Sequence, residues 1–273
     1  MIINQQTALY GVVGFPVAHS LSPTMHNAAF SATGLNAVYL AFETNDIEGC
    51  VKGMRALGIK GLSVTIPHKS EVISLLDEVD ALAKKVGAVN TIVNDGGRLV
   101  GYNTDGSGTL KALEERVDLS GKSCLLIGAG GAARAIGFAL RERGVRVTIA
   151  NRSTRRGEKL ANSLGCFFVP LKDIKSVEAD LLIHATPVGM HPNVEQCIIA
   201  QDAIHERMAV MDIVYNPIET KLLRLARSQN CLAINGLGMF VHQAAEQFRL
   251  WTGLEAPLSH MTVAVKKMLG GFS

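Results

Sequence analysis

Long apolar runs are missing from this 273-residue chain: no stretch approaches the roughly 18 residues that a bilayer-spanning helix needs. The opening residues, Met1 to Phe15, lack the basic flank of a secretion signal, so the expected compartment is the cytoplasm and no membrane partner is expected. Paired cysteines are missing too. Cys50, Cys124, Cys166, Cys197 and Cys231 are odd in number, far apart and without a C-x-x-C or zinc-like spacing, which excludes a disulfide framework and a structural metal and makes them reduced core residues. Charge of one sign is absent, with 27 Lys and Arg against 24 Asp and Glu for a net charge of +3. That interleaved balance gives no reason to expect a nucleic acid as partner, so any anion site must be local. The 27 glycines follow no fixed period, which excludes collagen-like and repeat architectures.

What is present is a chain that is 48% hydrophobic, enough to exclude disorder and to build one large or two ordinary domains without staples. Over the first hundred residues short strand-like runs alternate with helical ones: Leu9–Phe15, a helix opened by Ser22 and Pro23 and closed at Gly34, Val38–Thr44, a helix from Asp46 to Leu57, and Gly61–Ile66. This alternation predicts a mostly parallel sheet covered by helices, with Ser22 as N-cap and Pro23 at the first helical position. A helical stretch follows Pro67 to about Lys85, and Val89–Asn94 with Leu99–Tyr102 flank an Asp95-Gly96-Gly97 turn as a hairpin. From Lys122 a second series begins, Ser123–Ile127, a glycine cluster, a helix to Gly144, Val145–Ala150, a helix to Gly165, Leu181–Ala185, Val210–Val214 and Leu232–Ile234, which predicts a Rossmann-type doubly wound unit. The C-terminal helices, Gly238–Gly253 and Ser259–Leu269, have no strand of their own to cover and are expected to pack back on the first domain. The expected domains are 1–105 plus 238–273 for substrate and 106–237 for a dinucleotide, with a cleft separating them.

The dinucleotide signal is a strand running through Gly128-Ala129-Gly130-Gly131-Ala132-Ala133 straight into a helix. Gly128 serves the tight turn, Gly130 lets the backbone approach a pyrophosphate at the helix N-terminus, and Ala133 is small enough for the helix to pack on its strand. Strand and helix in place favour nucleotide binding over an unliganded glycine turn. The next strand ends at Asn151-Arg152-Ser153-Thr154-Arg155-Arg156, where NAD-binding chains usually offer an acid to the ribose; none is present. Arg152 with Arg155 or Arg156 could instead grip a 2′-phosphate, each charge-assisted bond contributing about 1.5–3 kcal/mol, which favours NADP. The alternative, an ordinary solvated helix start, places positive charge against the helix dipole. The cofactor candidates are Gly128, Ala129, Gly130, Gly131, Ala132, Ala133, Asn151, Arg152, Ser153 and Arg156, with Thr186 and Gly236.

Ser20 and Ser22 stand at the mouth of a helix whose first N–H groups lack partners, which makes a ready carboxylate site, although Ser22 alone reads as an N-cap. Lys69 follows a strand ending at Ile66, and in open α/β sheets ligands sit beyond the carboxyl ends of strands. Partly desolvated, a lysine can orient a hydroxyl and relay its proton, though Lys69 alone reads as a surface residue, Asp105 as an N-cap and Asn90-Thr91 as a sheet pair.

Taken in order, Ser20-Leu21-Ser22-Pro23 with His26-Asn27, Val64-Thr65-Ile66-Pro67 with Lys69, Gly87 to Thr91, Asn103-Thr104-Asp105-Gly106, the glycine cluster, Asn151-Arg152, Asp212 with Tyr215-Asn216-Pro217, and Gly236 to Gln243 resemble the shikimate dehydrogenase family over nearly the whole chain. The resemblance implies an NADP-dependent enzyme that interconverts 3-dehydroshikimate and shikimate on the way to chorismate and the aromatic amino acids. It implies that Ser20 and Ser22 hold the substrate carboxylate, that Thr65, Lys69, Asn90, Asp105 and Gln243 line the ring hydroxyls, that Tyr215 and Gly236 border the pocket, and that Lys69 and Asp105 are the catalytic pair. Thr186 resembles the family's loop near the nicotinamide. A small-molecule substrate, no metal and a monomer or homodimer are expected. Two positions depart from the pattern: Ser63 stands where the family often has Asn, and Asn235 where Asp commonly precedes Gly-Leu-Gly-Met. A quinate-directed or NAD-using paralogue and a catalytically silent NADP-binding regulator are the competing readings.

Overall fold

The computed structural model describes residues 3–270, and they fold as two compact units. One holds the chain up to Thr104 and again from Val241; the other runs from Asp105 to Phe240.

The first unit is built from β1 (Ala8–Gly14), α1 (Ser22–Ala32), β2 (Ala37–Glu43), α2 (Ile47–Ala56), β3 (Gly61–Val64), β4 (Glu78–Val79), α3 (Ala81–Val86), β5 (Thr91–Asp95) and β6 (Arg98–Tyr102). Its sheet has the order β2-β1-β3-β5-β6-β4. β1 is parallel to β2 and β3, whereas β5 runs antiparallel to β3 and, as the Asp95-Gly96-Gly97 turn requires, to β6. A core of Val13, Val51, Met54, Leu62, Val64, Ile92 and Leu99 fills the space under α2.

Three local expectations are corrected. The first helix begins at Ser22 itself, with Leu21 as N-cap and no side-chain cap; Ser20 Oγ instead accepts from Ser22 N at 3.3 Å, so the hydroxyl two residues earlier takes up that N–H. The stretch after Pro67 is not one helix but a 3₁₀ turn (Glu71–Leu75), the short β4 and α3. Acidic side chains divide it: Asp77 Oδ2 accepts from Leu99 N at 2.6 Å, drawing the chain onto β6, and Asp80 caps α3 through Leu82 N at 2.9 Å. Asp105 is the first residue of its helix, not the residue before it.

The second unit contains α4 (Asp105–Glu114), β7 (Ser123–Ile127), α5 (Gly131–Glu142), β8 (Arg146–Asn151), α6 (Thr154–Leu164), β9 (Phe167–Pro170), β10 (Leu181–His184), β11 (Ala209–Asp212), α7 (Lys221–Ser228) and β12 (Leu232–Ile234). All its strands are parallel, in the order β12-β11-β10-β7-β8-β9. Relabelled within the unit this is 3-2-1-4-5-6 read from the other edge, the doubly wound order, and the direction of winding reverses between β7 and β10. β10 and β11 are buried along their whole length, as strands covered on both faces must be. α6 buries Gly157, Leu160, Ala161 and Leu164, a single stripe at helical spacing, and ends at Gly165 in the left-handed conformation. β9, absent from the sequence reading, is an edge strand, where Pro170 is tolerated because its missing N–H costs no ladder bond.

α8 (Leu237–Thr252), from Val241 onward, and α9 (Leu258–Met268) belong to the first unit, α9 lying against α1. Phe248 packs on Phe30 and Trp251 on Tyr10, with ring centroids 5.7 and 5.4 Å apart. The Trp251 indole N–H donates to Ile92 O at 3.0 Å across the space left by Gly61, where a Cβ would stand 2.3 Å from that nitrogen.

His26, fully buried on α1, stacks on Tyr39 at 4.4 Å and lies beside Trp251 and Phe30. Neither ring nitrogen makes a well-formed hydrogen bond. Burial pushes its pKa down from 6.5 to about 3, opposed by the Gln247 side chain nearby. Between those values the unfolded chain binds a proton at His26 that the folded chain refuses, so the stability from this group is complete above pH 6.5 and is lost as pH falls through the window. We expect a slope of about 1.4 kcal/mol per pH unit from this residue alone, and its disappearance in His26→Leu, when urea unfolding is followed across that range.

Candidate active site

The turn that carries Lys69 is shaped by backbone that cannot go elsewhere. Thr65 N donates to Val13 O and Phe15 N to Ile66 O, both at 2.9 Å, which clips the segment after β3 to the end of β1. Gly14 makes the approach possible, since a Cβ there would stand 2.3 Å from Thr65 Cγ2. His68 is buried with Nε2 2.8 Å from Thr44 O; a carbonyl only accepts, so that nitrogen carries the proton. The next residue, Lys69, is half-buried, and its carbonyl accepts from Val89 N at 2.7 Å, bringing this turn beside the start of β5. The loop with Ser20 is held from β2, where Glu43 Oε2 accepts from Val17 N and Ala18 N at 2.9 and 3.1 Å.

At the start of β5 lies a buried polar cluster. Asn90, 2% exposed, accepts at Oδ1 from Thr104 N and Thr91 Oγ1 at 2.9 and 2.8 Å. Its Nδ2 donates to Thr104 Oγ1 at 2.9 Å and faces Gln243 Oε1 at 3.5 Å. Asn90 and Gln243, 153 residues apart, thus meet because α8 returns to this unit. Ser63 has a partner set of its own, accepting from Tyr39 OH at 2.6 Å and donating to Gln247 Oε1 at 2.8 Å. Ser20, Ser22, Thr65, Lys69, Asn90 and Gln243 belong to the first unit, Asp105, Tyr215 and the cofactor candidates to the second. Asp105 is buried at the head of α4, and Tyr215 stacks on Phe240 at 4.0 Å.

In the second unit the glycine turn sits at the point where strand order reverses. Gly128 has φ +127°, and a Cβ on it would lie 2.7 Å from Ala185 O at the end of β10, so both the backbone angle and the close approach demand glycine. Gly130 opens α5 without a side-chain cap, and a Cβ there would meet nothing within 4 Å. Ala133 is fully buried where α5 meets its strand. Open space before uncapped N–H groups at a switch point fits a dinucleotide pyrophosphate. Past β8, Asn151 Nδ2 donates to Ser153 O at 2.9 Å, and Ser153 caps α6 through Arg156 N at 3.4 Å, which leaves Arg152, Arg155 and Arg156 exposed. Among the described residues no cluster of His, Cys, Asp and Glu has the makings of a metal site, and no helix is long and apolar enough to cross a membrane.

Beyond β10 and β11 the structure adds His184 and Thr220, which the sequence reading did not single out, to Asp212 and Thr186, which it did. Thr220 Oγ1 donates to Asp212 Oδ2 at 2.7 Å, and Val214 N to Asp212 Oδ1 at 3.1 Å. His184 Nδ1 lies 3.0 Å from the same Oδ1, and His184 Nε2 lies 2.5 Å from Thr186 Oγ1, which also accepts from Val188 N at 3.3 Å. A carboxylate accepts only, so Nδ1 donates to Asp212, and this turns Nε2 toward the Thr186 hydroxyl. Asp212 and His184 therefore orient Thr186. The available signals were His184 two residues before Thr186 on the same side of the chain and Thr220 just before a helix. Gly236 abuts this region, a Cβ there falling 2.3 Å from Ile213 O, and Asn235 Oδ1 accepts from Leu237 N at 3.2 Å at the start of α8.

Fold and site together define the class: an α/β oxidoreductase with a dinucleotide-type second unit and a polar, buried cluster in the first. Family models describing the shikimate dehydrogenase substrate binding domain, shikimate / quinate 5-dehydrogenase and the shikimate 5′-dehydrogenase C-terminal domain match residues 12–92, 111–231 and 236–266. A relative from Moorella thermoacetica named shikimate dehydrogenase (NADP(+)) is 45% identical over 99% of this chain and 97% of its own. A shikimate dehydrogenase crystallised with NADP+ is 43% identical with a TM-score of 0.94, covering 98% of both chains. That of Thermus thermophilus, in complex with NADP(H) and shikimate, is 40% identical with a TM-score of 0.89, covering 95% of this chain and 99% of its own. The chain belongs to the shikimate dehydrogenase family.

Replacing Thr220 by Val keeps the shape but removes both the proton on Asp212 and the cap it gives Leu223 N at 3.3 Å. We expect a loss of about 1–3 kcal/mol in urea unfolding, because the buried carboxylate is left short of a donor.

Proposed function

We propose that this protein catalyses the reversible NADPH-dependent reduction of 3-dehydroshikimate to shikimate, supplying chorismate and aromatic amino acid synthesis in the cytoplasm as a monomer or homodimer. The observation that carries this reading is that the likeness to NADP-dependent shikimate dehydrogenase spans 99% of the chain, and so takes in both the Asn90 cluster and the glycine turn. In this reading residues 1–105 with 238–273 bind the substrate and 106–237 bind the cofactor.

The first N–H groups of α1, with the hydroxyls of Ser20 and Ser22, offer donors to a carboxylate. Thr65, Asn90 and Gln243 present a hydroxyl and two carboxamides to ring hydroxyls, and Tyr215 and Gly236 border the same substrate. Lys69 and Asp105 are the acid–base pair. The ammonium of Lys69 gives its proton to the oxygen on which negative charge develops and stabilises that charge, while the Asp105 carboxylate orients the hydroxyl. Gly128, Ala129, Gly130, Gly131, Ala132 and Ala133 receive the pyrophosphate, Asn151, Arg152, Ser153 and Arg156 the 2′-phosphate, and Thr186 with Gly236 flanks the nicotinamide. When bound, NADPH supplies the hydride.

The test is shikimate oxidation by the intact protein with NADP; a folded protein that turns over nothing from neutral to alkaline pH would overturn the reading. Lys69→Ala should lower kcat by about 10²–10⁴-fold with NADP affinity unchanged, whereas equal losses in both would contradict its role in the chemical step. Arg152→Ala should weaken NADP binding about tenfold or more while leaving NAD use intact, the loss of one charge-assisted bond, as measured by cofactor titration.

A further inference from the structure

The polar cluster of the first unit has a rear wall that the functional assignments leave unused. Gln247 on α8 is 2% exposed and bonded on every side. Its Nε2 donates to Asn90 O at 3.1 Å and to Thr91 Oγ1 at 2.9 Å; its Oε1 accepts from Ser63 Oγ at 2.8 Å. Two backbone groups fix the direction of every proton in this network. Asn90 O can only accept, so the Gln247 atom facing it is the nitrogen. Thr104 N can only donate, so the Asn90 atom facing it is the oxygen. Between these anchors the Thr91 hydroxyl receives a hydrogen bond from Gln247, so its own proton goes to Asn90 Oδ1 at 2.8 Å. On the other side Ser63 must donate to Gln247, and Tyr39 to Ser63.

We propose that Gln247 is a positioning residue for substrate recognition: acting through Thr91, it holds the Asn90 carboxamide so that its NH₂ faces Thr104 and Gln243. Ser63 is part of the same device. Its hydroxyl, fed by Tyr39, donates to Gln247 Oε1 and so orients that side chain from β3. The inference deepens the proposed shikimate chemistry and rests on it for the identity of the ligand.

The experiment compares Gln247→Met, which keeps bulk and removes both donors, with Thr91→Val, which cuts the relay and leaves Gln247 in place. Each should raise KM for shikimate about tenfold, the loss of roughly one well-made hydrogen bond, with KM for NADP unchanged. In an Asn90→Ala background neither should add a further loss, because the residue they act through is gone. Unchanged KM in both variants, or losses that simply add to that of Asn90→Ala, would overturn the proposal. Should Gln247→Met fail to fold, Thr91→Val decides alone. Side-chain amide resonances of the ¹⁵N-labelled protein separate this proposal from the functional reading: the Asn90 NH₂ signals must move in both variants whatever ligand the protein binds, and signals that stay put overturn it.

Discussion

A primary amide taken out of water has two donor and two acceptor positions to satisfy, and most of the first unit's polar architecture answers that requirement at Asn90. The strand pairing of β3, β5 and β6 supplies its backbone partners: Val64 N donates to Asn90 O at 2.8 Å, and Asn90 N to Tyr102 O at 3.0 Å. Thr91, Thr104, Gln243 and Gln247 supply the rest, the last two from a helix more than 150 residues further along the chain. In a low-dielectric interior such a network is rigid when complete and costly when broken, so each member limits what its neighbours can be.

The two buried histidines show the same physics resolved in opposite ways. His184 sits between a carboxylate and a hydroxyl and spends both nitrogens on orienting Thr186. His26 sits among aromatic rings, finds no such partner and stays neutral well below the usual imidazole range. One orders a loop; the other lends stability that holds only while it carries no proton. Glycines have a comparable division of labour. Gly128 and Gly236 are required because backbone passes too close for a side chain, whereas Gly130 faces open space, the room that an approaching phosphate needs.

Legibility followed the range of the interaction that made each feature. The central strands, the hairpin turn, the position of α2, the Gly165 terminus and the glycine cluster before α5 were all readable, since each is set within a few residues. The short edge strands β4 and β9 were not, because a strand of a few residues exists only through the neighbour it pairs with. Ser22 was misjudged as a cap for a related reason: the helix takes Ser22 in as its first residue, while the loop held by Glu43 sets Ser20 Oγ against the Ser22 N–H.

By itself the sequence determined the class of fold, the dinucleotide turn and the residue types that chemistry on a hydroxyl acid would use, because periodicity, turn residues and motif spacing are properties of neighbouring positions. Only the tertiary structure decided which buried polar groups satisfy one another. That Gln247 backs Asn90, and that Asp212 and Thr220 stand behind His184, depends on segments apart in the chain coming within hydrogen-bond distance, 2.7 to 3.1 Å. A hydrogen bond is fixed by distance and direction in space, and no local pattern of residues carries that information.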